Sequence, residues 1–523
     1  MQNTVLVDPV QLHTMDEAGL RDLVSKLLQR IDEDGHQIHW RDAKISKLTF
    51  EISQLRRAQY GRKSEQLGVT QKVLFDDDLD ADLAALEREL EELRNACTKP
   101  KPEEKKTPKR SPLPSHLPRI EFRHEPEITS CACGCALRRI GEDISEKLDY
   151  TPGEFTVHRH IRGKWVCADC ETLIQAPVAP EIIDKGIPTA GLLAHVLVAK
   201  HSDHLPLYRQ ETIFKRAGMA IPRSTLSSWV GVSGYQLQPL VEMLKAEILG
   251  CRVLQADETP VAMLAPGTGK THRSYLWAYV AGEFEALRAV VYDFTSSRAG
   301  EHPRKFLGNW QGHLVCDDFS GYKACFSNGI TEVGCMAHAR RRFVELHEAN
   351  KSQLAADAIE WIRQLYAVEA LVKERKPEER LEARQTHSMP IASAFHDWLS
   401  TQRLRVPEGS ATAKAIDYSL NRWRALTRYL QDPALPIDNN HDERQIRTWA
   451  LGRSNWLFAG SLLAGQRAAA ITSLIQSAKL NGLDPYVYLK DVLARLPSHS
   501  PTKLGELLPH RWVLAYRSDE QRD

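Results

Sequence analysis

The sequence predicts a multidomain α/β chain, and three observations carry the prediction. Short β-rich runs at Val253–Met263, Ser274–Val280, Ala289–Phe294 and His313–Cys316 give way to a charged helical stretch over 348–430, and a further helix opens within Pro436–Arg447. Strands, a helical insertion and a helix returning to the sheet describe one α/β domain. Ahead of it lie a heptad-patterned helical segment and a cluster of five cysteines between positions 131 and 170. At 523 residues the chain has length for about three or four domains.

Residues 1–96 read as a helical coiled-coil region. Val24, Ile31, Ile38, Ile45 and Ile52 recur every seven residues, with Leu27, Leu48 and Leu55 three residues after three of them. That is an a/d seam with β-branched a positions, which favours a parallel dimer or a higher oligomer over packing on the chain's own core. Leu79, Leu83, Leu86, Leu90 and Leu93 form a second stripe. Residues 97–119 hold Pro100, Pro102, Pro108, Pro112, Pro114 and Pro118 among lysines and serines, the composition of a linker. The net charge of +1 hides signed segments: nine acids against one base over 76–92, then seven bases against two acids over 97–119. A basic segment either meets a phosphate-bearing partner or is simply solvated.

Residues 120–180 read as a strand-rich, zinc-finger-like module. Cys167-Ala168-Asp169-Cys170 is a C-x-x-C pair, the spacing that lets two thiolates meet one tetrahedral Zn²⁺. Its complement lies in Cys131-Ala132-Cys133-Gly134-Cys135, with Cys131 and Cys133 as the expected ligands and Cys135 as the alternative. Cys97, Cys251, Cys316, Cys325 and Cys335 are scattered and read as small apolar residues. Over 181–250 a helical pattern ends near Arg216, passes Gly218 and restarts at Pro222-Arg223-Ser224-Thr225, which is compatible with a helix-turn-helix-like DNA-binding region.

The chemistry concentrates in residues 251–475, with 476–523 left as a C-terminal element. Leu254-Gln255-Ala256-Asp257-Glu258-Thr259-Pro260 and Leu314-Val315-Cys316-Asp317-Asp318-Phe319 each end an apolar strand in acids, sixty residues apart (317 − 257). One such carboxylate caps a turn as readily as it binds an ion; two of identical design point to a shared cation. In Asp438-Asn439-Asn440-His441-Asp442-Glu443-Arg444-Gln445-Ile446-Arg447, helical spacing puts Asn440, Glu443 and Arg447 on one face. A helix acid presented to two strand acids can hold hard cations such as Mg²⁺ or Mn²⁺ through oxygen. Paired ions serve in-line phosphoryl displacement, with Arg444 and Arg447 available for DNA phosphates. Arg340 and Arg341 either contact phosphate or begin a solvated helix, and His338 is assigned no role. Gly267-Thr268-Gly269-Lys270-Thr271 imitates a phosphate-binding loop but has Leu264 where that motif needs glycine, so a hairpin turn is expected.

Several blocks in one order give a resemblance to transposases of the insertion sequence 66 family, the large catalytic subunit. They are Gly141-Glu142-Asp143, His204-Leu205-Pro206-Leu207-Tyr208-Arg209, Ala256-Asp257-Glu258-Thr259-Pro260, Cys335-Met336-Ala337-His338-Ala339-Arg340-Arg341, Asp438-Asn439-Asn440 with Glu443-Arg444, Trp456-Leu457-Phe458-Ala459-Gly460-Ser461 and Asn481-Gly482-Leu483-Asp484-Pro485. The resemblance implies a ribonuclease-H-like core with an Asp-Asp-Glu triad, here Asp257, Asp317 and Glu443, interrupted by a helical insertion. Glu258 and Asp318 stay open as alternative ligands. It also implies DNA ends and target DNA as partners, with small companion proteins of the same element. A hydrolytic nuclease or integrase on the same fold, or a DNA-binding regulator with a dead acidic site, are the rival readings. No apolar run reaches the 18 or so residues of a membrane span and no signal pattern opens the chain, so a cytoplasmic protein is expected.

Overall fold

The computed structural model describes residues 40–52, 69–95, 113–125 and 137–514, except positions 116, 152, 169, 185, 266–269 and 328. The chain divides into two compact units, residues 1–62 with 83–108 and residues 63–82 with 109–523. In the first unit, helix α1 (40–52) and the end of α2 (Val69–Asn95) close a small apolar cluster. Leu48 and Ile52 bury against Leu86 and Leu90, with Ile45, Leu83 and Leu93 around them. Lys44 Nζ meets Glu89 at 2.6 Å beside it. The two leucine/isoleucine stripes therefore pack on each other within one chain over this stretch, the alternative that the heptads left open. Val24, Ile31, Ile38 and Leu55 lie outside the described residues.

The second unit opens with a four-stranded sheet. Its central strand β3 (Glu154–Cys167) pairs parallel with β1 (Arg119–His124) and antiparallel with β2 (Leu137–Thr151) and the short β4 (Leu173–Gln175). Leu148, Phe155 and Val157 turn one face of this sheet into the main core. Three helices follow: α3 (Ala190–His201), α4 (Leu207–Arg216) and α5 (Arg223–Ile248). Thr189 caps α3 by accepting from the Leu192 backbone N–H at 3.2 Å. Gly218 makes the α4–α5 turn at φ 88°, a conformation that suits glycine. Leu237, Leu240, Leu244 and Ile248 recur at helical spacing and carry α5 into the same core as α3. The described residues of the 120–180 and 181–250 segments thus belong to one unit with residues 251–475.

The second sheet has the order β7-β6-β5-β8-β9. Strands β5 (Val253–Ala265), β6 (Lys270–Ala281) and β7 (Val290–Thr295) form an antiparallel meander. Helix α6 (Glu301–Leu307) then leads to β8 (His313–Cys316), parallel to β5, and β9 (Thr331–Gly334) adds parallel to β8. Alternation divides the residues of β5 between two cores: Leu254 and Ala256 face the α3/α5 side, Val253 and Val261 the other. On that other side, α7 (Met336–Asn350), α8 (Gln353–Val372), α9 (Met389–Arg403) and α10 (Ala411–Asn421) form the helical insertion around Phe343, Ile362, Phe395 and Ile416. Arg384 is fully buried within it, paired with Glu369 at 2.6 Å. Helix α11 (Asn440–Trp456) returns to the sheet, laying Ile446 and Trp449 on Leu276 and Tyr292.

Helix α12 (Leu462–Leu480) covers the outer edge strand. Ser473 Oγ accepts from the Tyr292 N–H, and Ser477 Oγ both accepts from and donates to the backbone of Val290. An edge that would otherwise template pairing with another chain is closed this way. A boundary at residue 475 falls inside α12. Helix α13 (Pro485–Arg495) completes the core against α3. Among the described residues, no helix is long and apolar enough to cross a membrane.

Candidate active site

The two strand acids reach one place through register. β5 and β8 pair Val253 with His313 and Gln255 with Val315; Asp257 and Asp317, two residues further along each chain segment, have the same offset of sixty. β8 stops at Cys316, so Asp317 stands just past its end beside Asp257. β5 itself does not stop there, as the sequence suggested, but runs on to Ala265. Pro260 tolerates this because its carbonyl turns away from β6 to accept from Arg453 Nη1 at 2.7 Å, so its missing N–H faces the same open edge.

The Asp438-Asn439-Asn440 block fixes the start of α11 over this spot. Gln255 Nε2 donates to the Asp438 carbonyl at 3.0 Å and Asn439 Nδ2 to the Ala256 carbonyl at 3.1 Å. Asp438 Oδ1 accepts from the Asn440 N–H at 2.9 Å, and Tyr366 of the insertion donates to Oδ2 at 2.6 Å. Glu443 follows in the first turn. Its carboxylate is turned to Arg341 Nη2 at 3.4 Å and lies 3.8 Å from His338 Nε2. As the side chains stand, no group of three or more His, Cys, Asp or Glu residues is gathered to hold a metal among the described residues.

Electrostatics joins the three acids nonetheless. Burial, then the Glu258 charge, lift the Asp257 carboxyl well above the ordinary carboxylate range, and Asp317 and Glu443 add to the rise. Beside them Asp442 is fully buried, and burial, Asp257 and Glu443 raise its pKa strongly, with only Asn439 opposing. Crowding of this kind disfavours ionisation of Asp257 and Asp442.

The alternative acids are engaged elsewhere. Glu258, on the opposite face of β5, is held by two bonds from Arg298 and one from Tyr322 Oη at 2.8 Å, and Arg298 stacks on Phe319 at 3.8 Å. Asp318 pairs with Lys323 at 2.8 Å and lies 3.6 Å from the buried Arg422, which the insertion delivers. Asp257 and Asp317 instead accept backbone N–H groups, of Glu258 at 2.9 Å and Phe319 at 2.8 Å. These leave oxygen lone pairs open.

Of the basic residues read from sequence, Arg340, Arg341, Arg444 and Arg447 are all exposed, the first two on α7 and the others on α11. Sequence reasoning gave no role to His338 and passed over Arg298, Tyr322, Asp442 and Arg422. The run Cys335-Met336-Ala337-His338 was visible, but only the packing of α7 against α11 brings His338 to Glu443. In the cysteine module, Cys167 is buried at the end of β3 and Cys170 is exposed in the turn after it. Cys131, Cys133 and Cys135 lie outside the described residues, as do Gly267–Gly269.

Residues 185–467 match the Transposase IS66 family. The chain belongs to that family. Its flanks agree: 473–510 match the IS66 C-terminal element, 129–171 the zinc-finger binding domain of transposase IS66, and 47–122 the domain described as Transposase C of IS166 homeodomain. Relatives in Sinorhizobium fredii include the uncharacterized protein y4hP, 34% identical over 90% of this chain and 89% of its own length. Another is the uncharacterized protein y4jD, 37% identical over 76% of this chain and 81% of its own length. IS66 family membership makes the chain a DNA-acting protein with a zinc-finger domain and a mixed helix/sheet body.

Proposed function

We propose that this transposase has a ribonuclease-H-like core that cuts element ends and joins them to target DNA by metal-dependent phosphoryl transfer. The observation that supports the reading best is the β5–β8 register, whose offset of sixty equals the spacing of Asp257 and Asp317, together with the tie of Asn439, at the start of α11, to the Ala256 carbonyl. Asp257, Asp317 and Glu443 are the metal ligands on this reading, and their oxygen donors and surplus charge suit Mg²⁺ or Mn²⁺. Ions bound there would neutralise charge on the attacking and leaving oxygens of an in-line displacement.

The chain's own residues prepare that event. Backbone N–H groups of Glu258 and Phe319 fix the rotamers of Asp257 and Asp317. Arg298 and Arg422 keep Glu258 and Asp318 out of the ligand set. Arg340, Arg341, Arg444 and Arg447 take backbone phosphates, which sets register without reading sequence. No Ser or Tyr nucleophile is required. Zn²⁺ would be held by Cys167 and Cys170 with two of Cys131, Cys133 and Cys135. The heptad positions ahead of the intrachain α1–α2 cluster, Val24, Ile31 and Ile38, join chains into a dimer or higher oligomer, and the protein acts in the cytoplasm with its element's companion proteins.

The test is purified full-length protein with its element's end DNA and Mg²⁺, with and without Asp257→Asn. Nicking and joining of pre-cut ends by the wild type alone is expected. Nicking without joining would make the protein a hydrolytic nuclease, and binding without nicking a regulator.

A further inference from the structure

Two sequence blocks that the catalytic reading leaves unused meet at one cavity. The α3–α4 turn contributes His204, the end of α11 contributes Trp456 and the turn after it Phe458; Lys200, His201, Trp449 and, from α12, Ala468 also line this space of about 70 Å³. That is roughly five times what a single water needs. The blocks are far apart in sequence (456 − 204 = 252), yet each places a non-glycine residue at positive φ here, His204 at 56° and Leu457 at 64°. Backbone strain of this kind persists only where the surroundings enforce it and clusters at ligand clamps. Gly452 keeps the space between them: a Cβ there would come within 2.6 Å of Trp456 Nε1 and 2.7 Å of His204 Nδ1.

The lining has the chemistry of an aromatic ligand. Trp449 and Trp456 stand edge to face with centroids 5.6 Å apart. Among the described residues, two buried polar atoms in the lining, Trp449 Nε1 and His201 Nε2, have no hydrogen-bond partner. Apolar walls with a few convergent polar groups are the pattern of a binding pocket, and orphaned buried polar atoms call for a partner. Position narrows the ligand. Trp449 and Trp456 follow Glu443 on α11 by six and thirteen residues, about 9 and 20 Å at 1.5 Å per residue. That is about three to six base steps of DNA at 3.4 Å each.

We propose that this cavity receives one unstacked nucleobase of the bound DNA, stacked on Trp456 and hydrogen-bonded at its edge by Trp449 Nε1 and His201 Nε2. The inference rests on the transposase reading, because it places DNA along α11. Stacking on an aromatic face stabilises an extruded base and offsets the cost of unstacking.

The experiment uses full-length protein and duplexes of its element's ends carrying 2-aminopurine at successive positions around the cut. One position about three to six steps from the cut should brighten several-fold on binding. The signal should vanish in Ala468→Leu, which fills the cavity, and in Trp456→Ala, and should return in Trp456→Phe. Melting curves establish that each variant folds, so a misfolded filler leaves Trp456→Ala to decide. If the wild type binds and nicks the ends with no position brightening, or if the signal persists in a folded Ala468→Leu or Trp456→Ala, the proposal falls alone. A protein that neither binds nor nicks the ends defeats the transposase reading, and this proposal with it.

Discussion

Asp317 follows the end of β8 at the same offset of sixty residues with which β8 pairs β5, the offset that separates it from Asp257 in sequence. Neighbouring strands lie about 4.8 Å apart, so a spacing noticed as two similar motifs becomes a distance between two carboxylates. This relationship, and the helix laid across it, underlies the predictions that follow.

Asp257→Asn, Asp317→Asn and Glu443→Gln should each lower end cleavage by orders of magnitude while leaving DNA binding largely intact. Each swap keeps shape and discards a charge used in the transition state. Asp318→Asn should cost far less activity, because its carboxylate is engaged by Lys323 and Arg422. Single-turnover nicking beside a binding titration separates the effects. Equal losses at Asp317 and Asp318 would refute the assignment.

Much of this was legible because apolar strands announce themselves. The run His313–Cys316 matches β8 residue for residue, and the helical insertion appears where its charge and periodicity placed it. β9 was missed: Thr331-Glu332-Val333-Gly334 is too short to show a period and becomes a strand only by pairing with β8. The β-rich run over Val253–Met263 comes within two residues of the end of β5, but the acids and Pro260 within it also signal a turn, and sequence alone does not tell which edge of the strand the missing N–H of Pro260 faces. The partners of the acids were illegible for the same reason. Arg298, Tyr322, Arg422 and His338 reach the site from separate elements, and only tertiary packing joins them.

Glu258→Ala should destabilise the protein more than it should impair chemistry. The side chain is 1% exposed and ties Arg298 and Tyr322 Oη to β5. Hydrogen bonds to a charged group contribute about 1.5–3 kcal/mol, and the lower part of that range applies here because Arg298 is 43% exposed. Thermal melting should fall accordingly, with residual cleavage per folded molecule well above that of Asp257→Asn. Unchanged melting would show that the pair contributes nothing.

Stability should depend on pH with a sign set by buried acids. Burial first, then neighbouring charges, raise the folded-state pKa of both Asp257 and Asp442. A raised folded pKa gives stabilisation that is full below the unfolded value, near pH 4, and is lost as pH rises through the folded value. Metal-free protein should therefore melt progressively lower from about pH 5 to pH 8. Mg²⁺ should reduce that fall, since a cation bound at Asp257 favours its ionised form. Asp442→Asn should remove part of it and stabilise the protein at the upper end by about 1–3 kcal/mol. A mutant whose melting follows the wild-type slope would show that Asp442 does not titrate over this range.

Zinc removal should unfold the 120–180 segment before the rest. Cys167 is buried at the end of β3, with Cys170 three residues on in a turn closed by the Glu171 N–H donating to the Cys167 carbonyl at 3.0 Å. Thiolate ligation couples metal binding to local folding, so a chelator should release one zinc per chain and expose β1–β4 to hydrogen exchange while the strands around Asp257 stay protected. Cys167→Ser and Cys170→Ser should each lose the metal. The other two ligands follow from single replacements of Cys131, Cys133 and Cys135. Spacing favours Cys131 and Cys133, yet Leu137 pairs opposite Cys167, which leaves Cys135 the shortest reach of chain, at most about 7 Å from Leu137. Retained zinc in Cys135→Ser would uphold the first pair; loss of zinc there, with Cys131→Ser or Cys133→Ser silent, would bring Cys135 into the set. Absence of zinc from the wild-type protein by metal analysis would remove the site altogether.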